Sequence, residues 1–188
     1  MLSNLVNADR QLFQWLNQQA YLEVLDPLAI FLTTISNGAL IWWVIAVILL
    51  MMKKRLGSYL PGIALAVGVG VAYLVESALN ALINRPRPPL AEDEVRQLVE
   101  LPLSSSFPSG HATTSFAALY VLLFFFPTAK YWAPLLVVLF AYSRIYVGVH
   151  YPLDMLSGVL LGLLVAALTT KGIIDIAKKR REQSQKKD

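Results

Sequence analysis

Phe107-Pro108-Ser109-Gly110-His111 stands directly before an apolar run at 112–126. A hydroxyl, a glycine and a histidine there mark the start of a helix that is apolar thereafter. Ser109 is a good N-cap, and the Gly110 and His111 amides would be among the first free donors of that helix. A helix start with a glycine and unpaired N–H groups is a ready anion site. On its own a Ser-Gly pair reads as a turn and cap, so its meaning depends on what the rest of the chain brings beside it.

The surrounding composition sets the class. Apolar residues make up 56% of the 188, Asp, Glu, Lys and Arg only 15%, and long runs lack charge altogether. That is a polytopic membrane protein rather than a soluble domain. The net charge of +4 does not describe a nucleic-acid face. Many basic residues collect in Lys178-Lys179-Arg180-Arg181 and Lys186-Lys187, behind the last apolar segment. A polybasic tail facing anionic lipid is the better reading. The absence of Cys removes disulfides, thiolate catalysis and Cys metal sites.

Working outward, the pattern predicts an all-α membrane bundle of about five transmembrane helices with an N-terminal interfacial helix. Residues 1–177 form one membrane-embedded domain and 178–188 a basic cytoplasmic tail. Residues 3–20 mix Leu5, Leu12, Phe13 and Leu16 with Asp9, Arg10 and many amides. That is too polar to span; it reads as a helix in the interface, or equally as one packed on the bundle. Asp26-Pro27 makes a cap-and-start pair for a first span over 28–52. Roughly 24 residues at about 1.5 Å each reach about 36 Å, enough to cross. The second span covers 58–82, where Gly62, Gly68, Gly70 and Ala72 invite a close neighbour. Spans three to five follow at 112–126, 132–148 and 153–175.

Charge placement orients this bundle. Lys53-Lys54-Arg55, Lys130, Lys171 and the tail fall on one side, eleven of the sixteen basic residues. That side is cytoplasmic, which puts the N-terminus and the polar connections at 84–109 and 149–152 on the outside.

Three polar clusters thereby meet at the outer face. Arg85 and Arg87 follow span two, Ser109-Gly110-His111 open span three, and Arg144, His150 and Asp154 flank the turn from span four to five. Arg87 and Arg144 offer planar forks for two phosphoryl oxygens, although arginine at a span end is ordinarily an interface anchor. His150 and Asp154 are four apart, so the carboxylate can stand beside the imidazole and leave its other nitrogen as a nucleophile. A structural helix-end hydrogen bond is the plain alternative. His111 would protonate the leaving group. Glu76 and Asn80, one turn apart, read either as a polar bridge between helices or as part of the site. Two histidines and one aspartate could ligate an ion, but the neighbouring arginines would repel it, so neither metal nor cofactor is expected.

These motifs resemble the type 2 phosphatidic acid phosphatase superfamily of membrane lipid phosphatases. Its second motif is matched by Pro108-Ser109-Gly110-His111, and its third by Ser143-Arg144 through His150 to Asp154. Of its first, Lys, six residues and Arg-Pro, the chain keeps Arg87-Pro88 but has Asn80 at the lysine position; Arg85, or Glu76 with water, would rearrange the pocket. The resemblance implies a metal-free reaction with His150 as nucleophile, Asp154 orienting it and His111 as acid and then base. Arg87, Ser109, Gly110 and Arg144 would hold the phosphoryl oxygens. The implied substrate is a lipid phosphate or diphosphate in the bilayer, undecaprenyl pyrophosphate first. Phosphatidylglycerophosphate, phosphatidate and lipid A 1-phosphate are the alternatives. A non-enzymatic transport or structural protein is the rival of another class. Nothing in the sequence speaks to an oligomeric state.

Overall fold

The computed structural model describes residues 2–186; Lys187, counted above with the basic tail, lies outside them. Eight helices carry the chain: α1 (Leu2–Gln14), α2 (Asp26–Ile35), α3 (Leu40–Met51), α4 (Lys53–Leu56), α5 (Leu60–Ile83), α6 (Gly110–Phe125), α7 (Ala133–Tyr146) and α8 (Pro152–Gln185). Pro27, Pro61, Pro134 and Pro152 sit in the first turns of α2, α5, α7 and α8, where a missing N–H costs no intrahelical bond.

The fold is all-α as expected, but its spans are not five full-length helices. Among the described residues α5 and α8 are long and apolar enough to cross a membrane, or three spans if one bent pair counts as a unit. The bent pair replaces the continuous first span expected over 28–52. Its two halves meet at 48° across Ser36 to Ala39. Gly38 and Ala39 there both have φ near +59°, and the Ser36 hydroxyl donates back to Leu32 O at 2.7 Å. A hydroxyl that bonds its own preceding turn, followed by Asn37-Gly38, competes with helix continuation. The apolar flanks conceal this break. At 16 and 14 residues, α6 and α7 extend only about 24 and 21 Å. Their site-proximal ends are replaced by irregular chain that carries the polar clusters.

The central helix is α6, packed on α5, α7 and α8. Its crossing with α8 depends on Gly158 and Gly162. A Cβ on Gly162 would lie 2.2 Å from Thr113 O, and one on Gly158 2.7 Å from Ser109 O. Helix backbones meet that closely only over small residues. The expected thinning of α5 is also present: Gly70 faces Trp43 of α3, Gly68 faces Val121 of α6, and Ala72 is fully buried. Trp42 fills the adjoining core and donates its indole N–H to Ser115 Oγ at 3.0 Å.

The N-terminal helix packs on the bundle along one face, the second of the two readings made for it. Asp9, Phe13 and Asn17 recur every four residues and are buried, while Leu5, Leu12 and Trp15 are exposed. Phe13 packs edge-on to Tyr151 at 5.3 Å between centroids. Asn17 donates to the carbonyls of Arg96 and Tyr146 at 3.1 and 3.0 Å and accepts from the Arg96 amide at 2.8 Å. This segment therefore ties the long 84–109 connection to the end of α7. Helix α8 continues through the basic stretch to Gln185.

Candidate active site

Around His150 the chain bends sharply between α7 and α8. Gly148 adopts φ +82°, and a Cβ there would stand 2.6 Å from Arg96 O. This turn presents His150 inward at 3% exposure. Its Nδ1 lies 2.8 Å from Ser106 O and its Nε2 3.1 Å from Arg87 Nη1. A carbonyl can only accept, so Nδ1 carries the proton and the Nε2 lone pair points at the Arg87 guanidinium. Burial, opposed by Asp154 and reinforced by Arg87 and Arg144, lowers the His150 pKa to about 4. The ring is therefore neutral near pH 7.

Asp154 stands beside His150, as its spacing suggested, but it is not the nearest acceptor. Its Oδ2 is 3.6 Å from His150 Nδ1, farther than the Ser106 carbonyl. The fully buried carboxylate instead accepts from the Ser106 hydroxyl, from the Tyr151 amide at 2.9 Å and from Arg85 Nη1 at 2.6 Å. Asp154 thus holds Ser106, and the Ser106 main chain holds His150. The i, i+4 spacing brings the two side chains close, but the Ser106 carbonyl, from the connection, comes closer to Nδ1.

Arg87 is braced at 4% exposure, donating to Ser104 O and Val149 O at 2.9 Å each and to Ser104 Oγ at 3.1 Å. Arg144 is less complete. One terminal nitrogen donates to Thr33 Oγ1, while its buried Nε has no hydrogen-bond partner. His111 has its Nε2 3.3 Å from Thr33 O. Arg87, Arg144, His111, His150 and Gly110 line one cavity of about 370 Å³ whose walls reach Tyr73 of α5 and Gly38 at the bend. Two guanidinium groups, two imidazoles and the first residues of α6 thus share one cavity wall.

The remaining expected residues separate. Ser109 is fully buried and does not line the cavity; its Oγ accepts from Ala112 N at 3.5 Å, and its amide donates to Asp154 O at 3.0 Å. Asn80 holds the connection, donating to Ser105 O at 2.8 Å and accepting from Ser105 N at 3.0 Å. Arg85 does not replace the missing lysine, because it is committed to Asp154 and Asp9. Glu76 lines the cavity, with its carboxyl carbon 3.2 Å from where a Cβ on Gly110 would be. Among the described residues its one hydrogen bond comes from Ser77 Oγ at 3.4 Å on the same helix, so it makes no hydrogen-bonded bridge to another helix.

Sequence reasoning missed Asp9, Thr33, Ser104 and Ser106. The run Ser104-Ser105-Ser106 immediately before Phe107 was a visible signal, and Asp9 is the only carboxylate in residues 3–20. Thr33 had none, because it lies in an apolar segment. Among the described residues no group of three or more His, Cys, Asp or Glu side chains is placed to hold a metal ion.

Comparison with known proteins agrees with this geometry. Residues 61–176 match the family model described as the PAP2 superfamily. The undecaprenyl-diphosphatase of Sulfolobus acidocaldarius is 30% identical over 166 residues, which cover 86% of this chain and 76% of that one. The crystal structure of Aquifex aeolicus LpxE superposes with a TM-score of 0.72 at 26% identity, covering 86% of this chain and 93% of its own. That of a PAP2-type phosphatidylglycerolphosphate phosphatase from Bacillus subtilis gives 0.71 at 25% identity, with 92% and 87% covered. With Arg87, His111, Arg144 and His150 lining one cavity and the family match extending over most of the bundle, the chain belongs to the PAP2 superfamily, as a phosphatase acting on a membrane lipid headgroup.

Proposed function

We propose that this phosphatase works through a phosphohistidine formed on His150 Nε2. The observation that carries the reading is the neutral, buried His150, with Nδ1 tied to Ser106 O and Nε2 facing Arg87 in a cavity that Arg144 and His111 also line. On substrate entry Arg87 Nη1 exchanges the imidazole lone pair for a phosphoryl oxygen. Nε2 then attacks phosphorus in line, and the bond from phosphorus to the leaving oxygen breaks. His111 delivers a proton to that oxygen. Water next attacks the phosphohistidine, giving its proton to His111, and the nitrogen–phosphorus bond breaks to release phosphate. Arg87, Arg144 and the Gly110 and His111 amides stabilise the charge on the equatorial oxygens throughout. No step calls for a metal.

The chain crosses the membrane five times in this proposal. The bent pair makes the first crossing, and α5 to α8 make the other four, with α6 and α7 short because their outer ends give way to the site. Lys53, Lys54, Arg55 and the basic end of α8 then face the cytoplasm, and the cavity faces the periplasm or exterior. The substrate is a polyprenyl diphosphate, undecaprenyl pyrophosphate first, a reading supported by the similarity to the Sulfolobus undecaprenyl-diphosphatase. A phosphomonoester on a polyol, as in phosphatidylglycerophosphate, is the second reading, favoured by Glu76. A carboxylate lining the cavity can accept from a hydroxyl of the polyol and disfavours a second phosphate joined directly to the first, as in a diphosphate.

Phosphate release from undecaprenyl diphosphate, phosphatidylglycerophosphate and phosphatidate, with and without chelator, tests both parts. Turnover that survives chelator and disappears in His150→Ala is expected. Hydrolysis retained by His150→Ala removes the nucleophile assignment, and loss with chelator removes the metal-free route.

A further inference from the structure

The cavity accounts for one side of His150; the other side is held from an unexpected distance in sequence. Asp9 of α1 is 4% exposed. Its Oδ2 is 2.6 Å from Arg85 Nη2, and Arg85 Nη1 is 2.6 Å from Asp154 Oδ1. One planar fork thus joins two buried carboxylates, each through a different nitrogen. The other oxygen of Asp9 accepts from the Leu153 amide at 2.8 Å, in the first turn of α8, one residue before Asp154. Arg85 also lies over the Tyr151 ring at 4.1 Å, and its carbonyl accepts from the Ser106 amide at 2.8 Å.

We infer that Asp9 is a positioning residue for catalysis, acting on His150 through Arg85, Asp154 and Ser106. Resting on His150 being the attacking group, the inference makes the amphipathic N-terminal helix part of the catalytic apparatus rather than a membrane-surface accessory. The physical reason lies in how a guanidinium divides itself. With both carboxylates present, Arg85 gives one nitrogen to each, and Asp154 keeps an oxygen free for the Ser106 hydroxyl and the Tyr151 amide. Without the Asp9 charge, both nitrogens turn to Asp154 as a bidentate pair. That draws the Asp154 carboxylate off Ser106, and Ser106 supplies the carbonyl that aims the imidazole. A displacement of about 1 Å at a reacting group is enough to cost roughly a hundredfold in rate.

The test compares Asp9→Asn, Asp9→Glu, Arg85→Gln and the double variant Asp9→Asn with Arg85→Gln. His150→Ala and the exposed-site control Asn7→Ala complete the set. The substrate is whichever of undecaprenyl diphosphate, phosphatidylglycerophosphate and phosphatidate the wild-type chain hydrolyses fastest. Asp9→Asn is expected to lower kcat about 10- to 100-fold with KM held within about twofold, because the cavity is untouched. Asp9→Glu restores part of that loss, and Asn7→Ala is unchanged. The double variant is no slower than Arg85→Gln alone, because both act through one relay; a purely structural Asp9 would give additive losses and parallel drops in melting midpoint. Should Asp9→Asn not fold, Asp9→Ser keeps an acceptor for Leu153 and carries the same expectations. Wild-type kcat in Asp9→Asn, or additivity in the double variant, overturns the relay. Activity in His150→Ala overturns the nucleophile instead, so the two failures are distinct.

Discussion

The two sides of His150 are built differently. Behind the ring, Asp154, Ser106, Arg85, Asp9 and the Tyr151 amide form a network in which each charged group has a partner of opposite sign or a hydrogen bond. In front, Arg144 Nε lacks a partner, His111 makes one contact at 3.3 Å, and Glu76 has only Ser77. A saturated network specifies one geometry; an unsaturated one holds back hydrogen bonds for a ligand, at a cost in stability of the unliganded protein. The contrast shows where the fold supplies rigidity and where the substrate must complete it.

Substitutions can break that contrast from either side. The largest effect is expected for His150→Ala, which removes the attacking nitrogen and should lower kcat by more than about 10⁴, read as phosphate release. His111→Ala should cost about 10³ on a lipid substrate and much less on an aryl phosphate, whose leaving oxygen needs no proton; equal losses on both would deny His111 the acid role. On the open side Arg144→Ala should lower kcat/KM about 10²-fold while leaving the thermal midpoint in detergent unchanged or raised. On the saturated side Asp154→Ala should lose activity and also destabilise by about 2–3 kcal/mol, because the Ser106 hydroxyl and Tyr151 amide lose their acceptor and the partly buried Arg85 loses one of its two partners. If instead Arg144→Ala melts low and Asp154→Ala melts like wild type, the distinction between the two sides fails.

The mildest probe is pH. With the His150 pKa lowered to about 4, the attacking neutral form is lost only as pH falls through that value. The limb of kcat/KM assigned to His150 should therefore lie near pH 4 to 5, below the ordinary histidine value of about 6.5. Between those values the folded chain binds fewer protons at His150 than the unfolded chain, so this group makes stability rise with pH over the same window. A His150-dependent limb near pH 6.5 would place the ring in a wetter and less cationic setting than the cavity provides.

Much of this protein was legible before folding. The apolar runs, the prolines at helix starts and the basic segments declare a helical membrane protein, because lipid demands internally bonded backbone and charge is costly in hydrocarbon. Pro108-Ser109-Gly110-His111 and the Arg144–His150–Asp154 spacing place the histidines, a fork and a carboxylate near one another through helix starts and one tight turn. These are local relations, set by periodicity and capping, and so can be read along the chain. The bend at Ser36 to Ala39 was harder, since three small polar residues within an apolar run are outweighed by their neighbours in any reading of hydropathy.

What only the tertiary structure decided are the pairings between distant segments. Ser106 O, not Asp154, is the nearest acceptor for His150; Ser109 caps a helix instead of lining the cavity; and Asn80 ties down the connection through Ser105. Arg85 belongs to Asp9, 76 residues away in sequence. A hydrogen bond depends on angles and on tenths of an ångström, and those follow from how α1, α6 and α8 pack, with Gly158 and Gly162 setting the closest approach. The amino-acid pattern by itself determined which chemical groups reach one end of the bundle. Packing decided which of them face the cavity and which are turned away to hold the others in place.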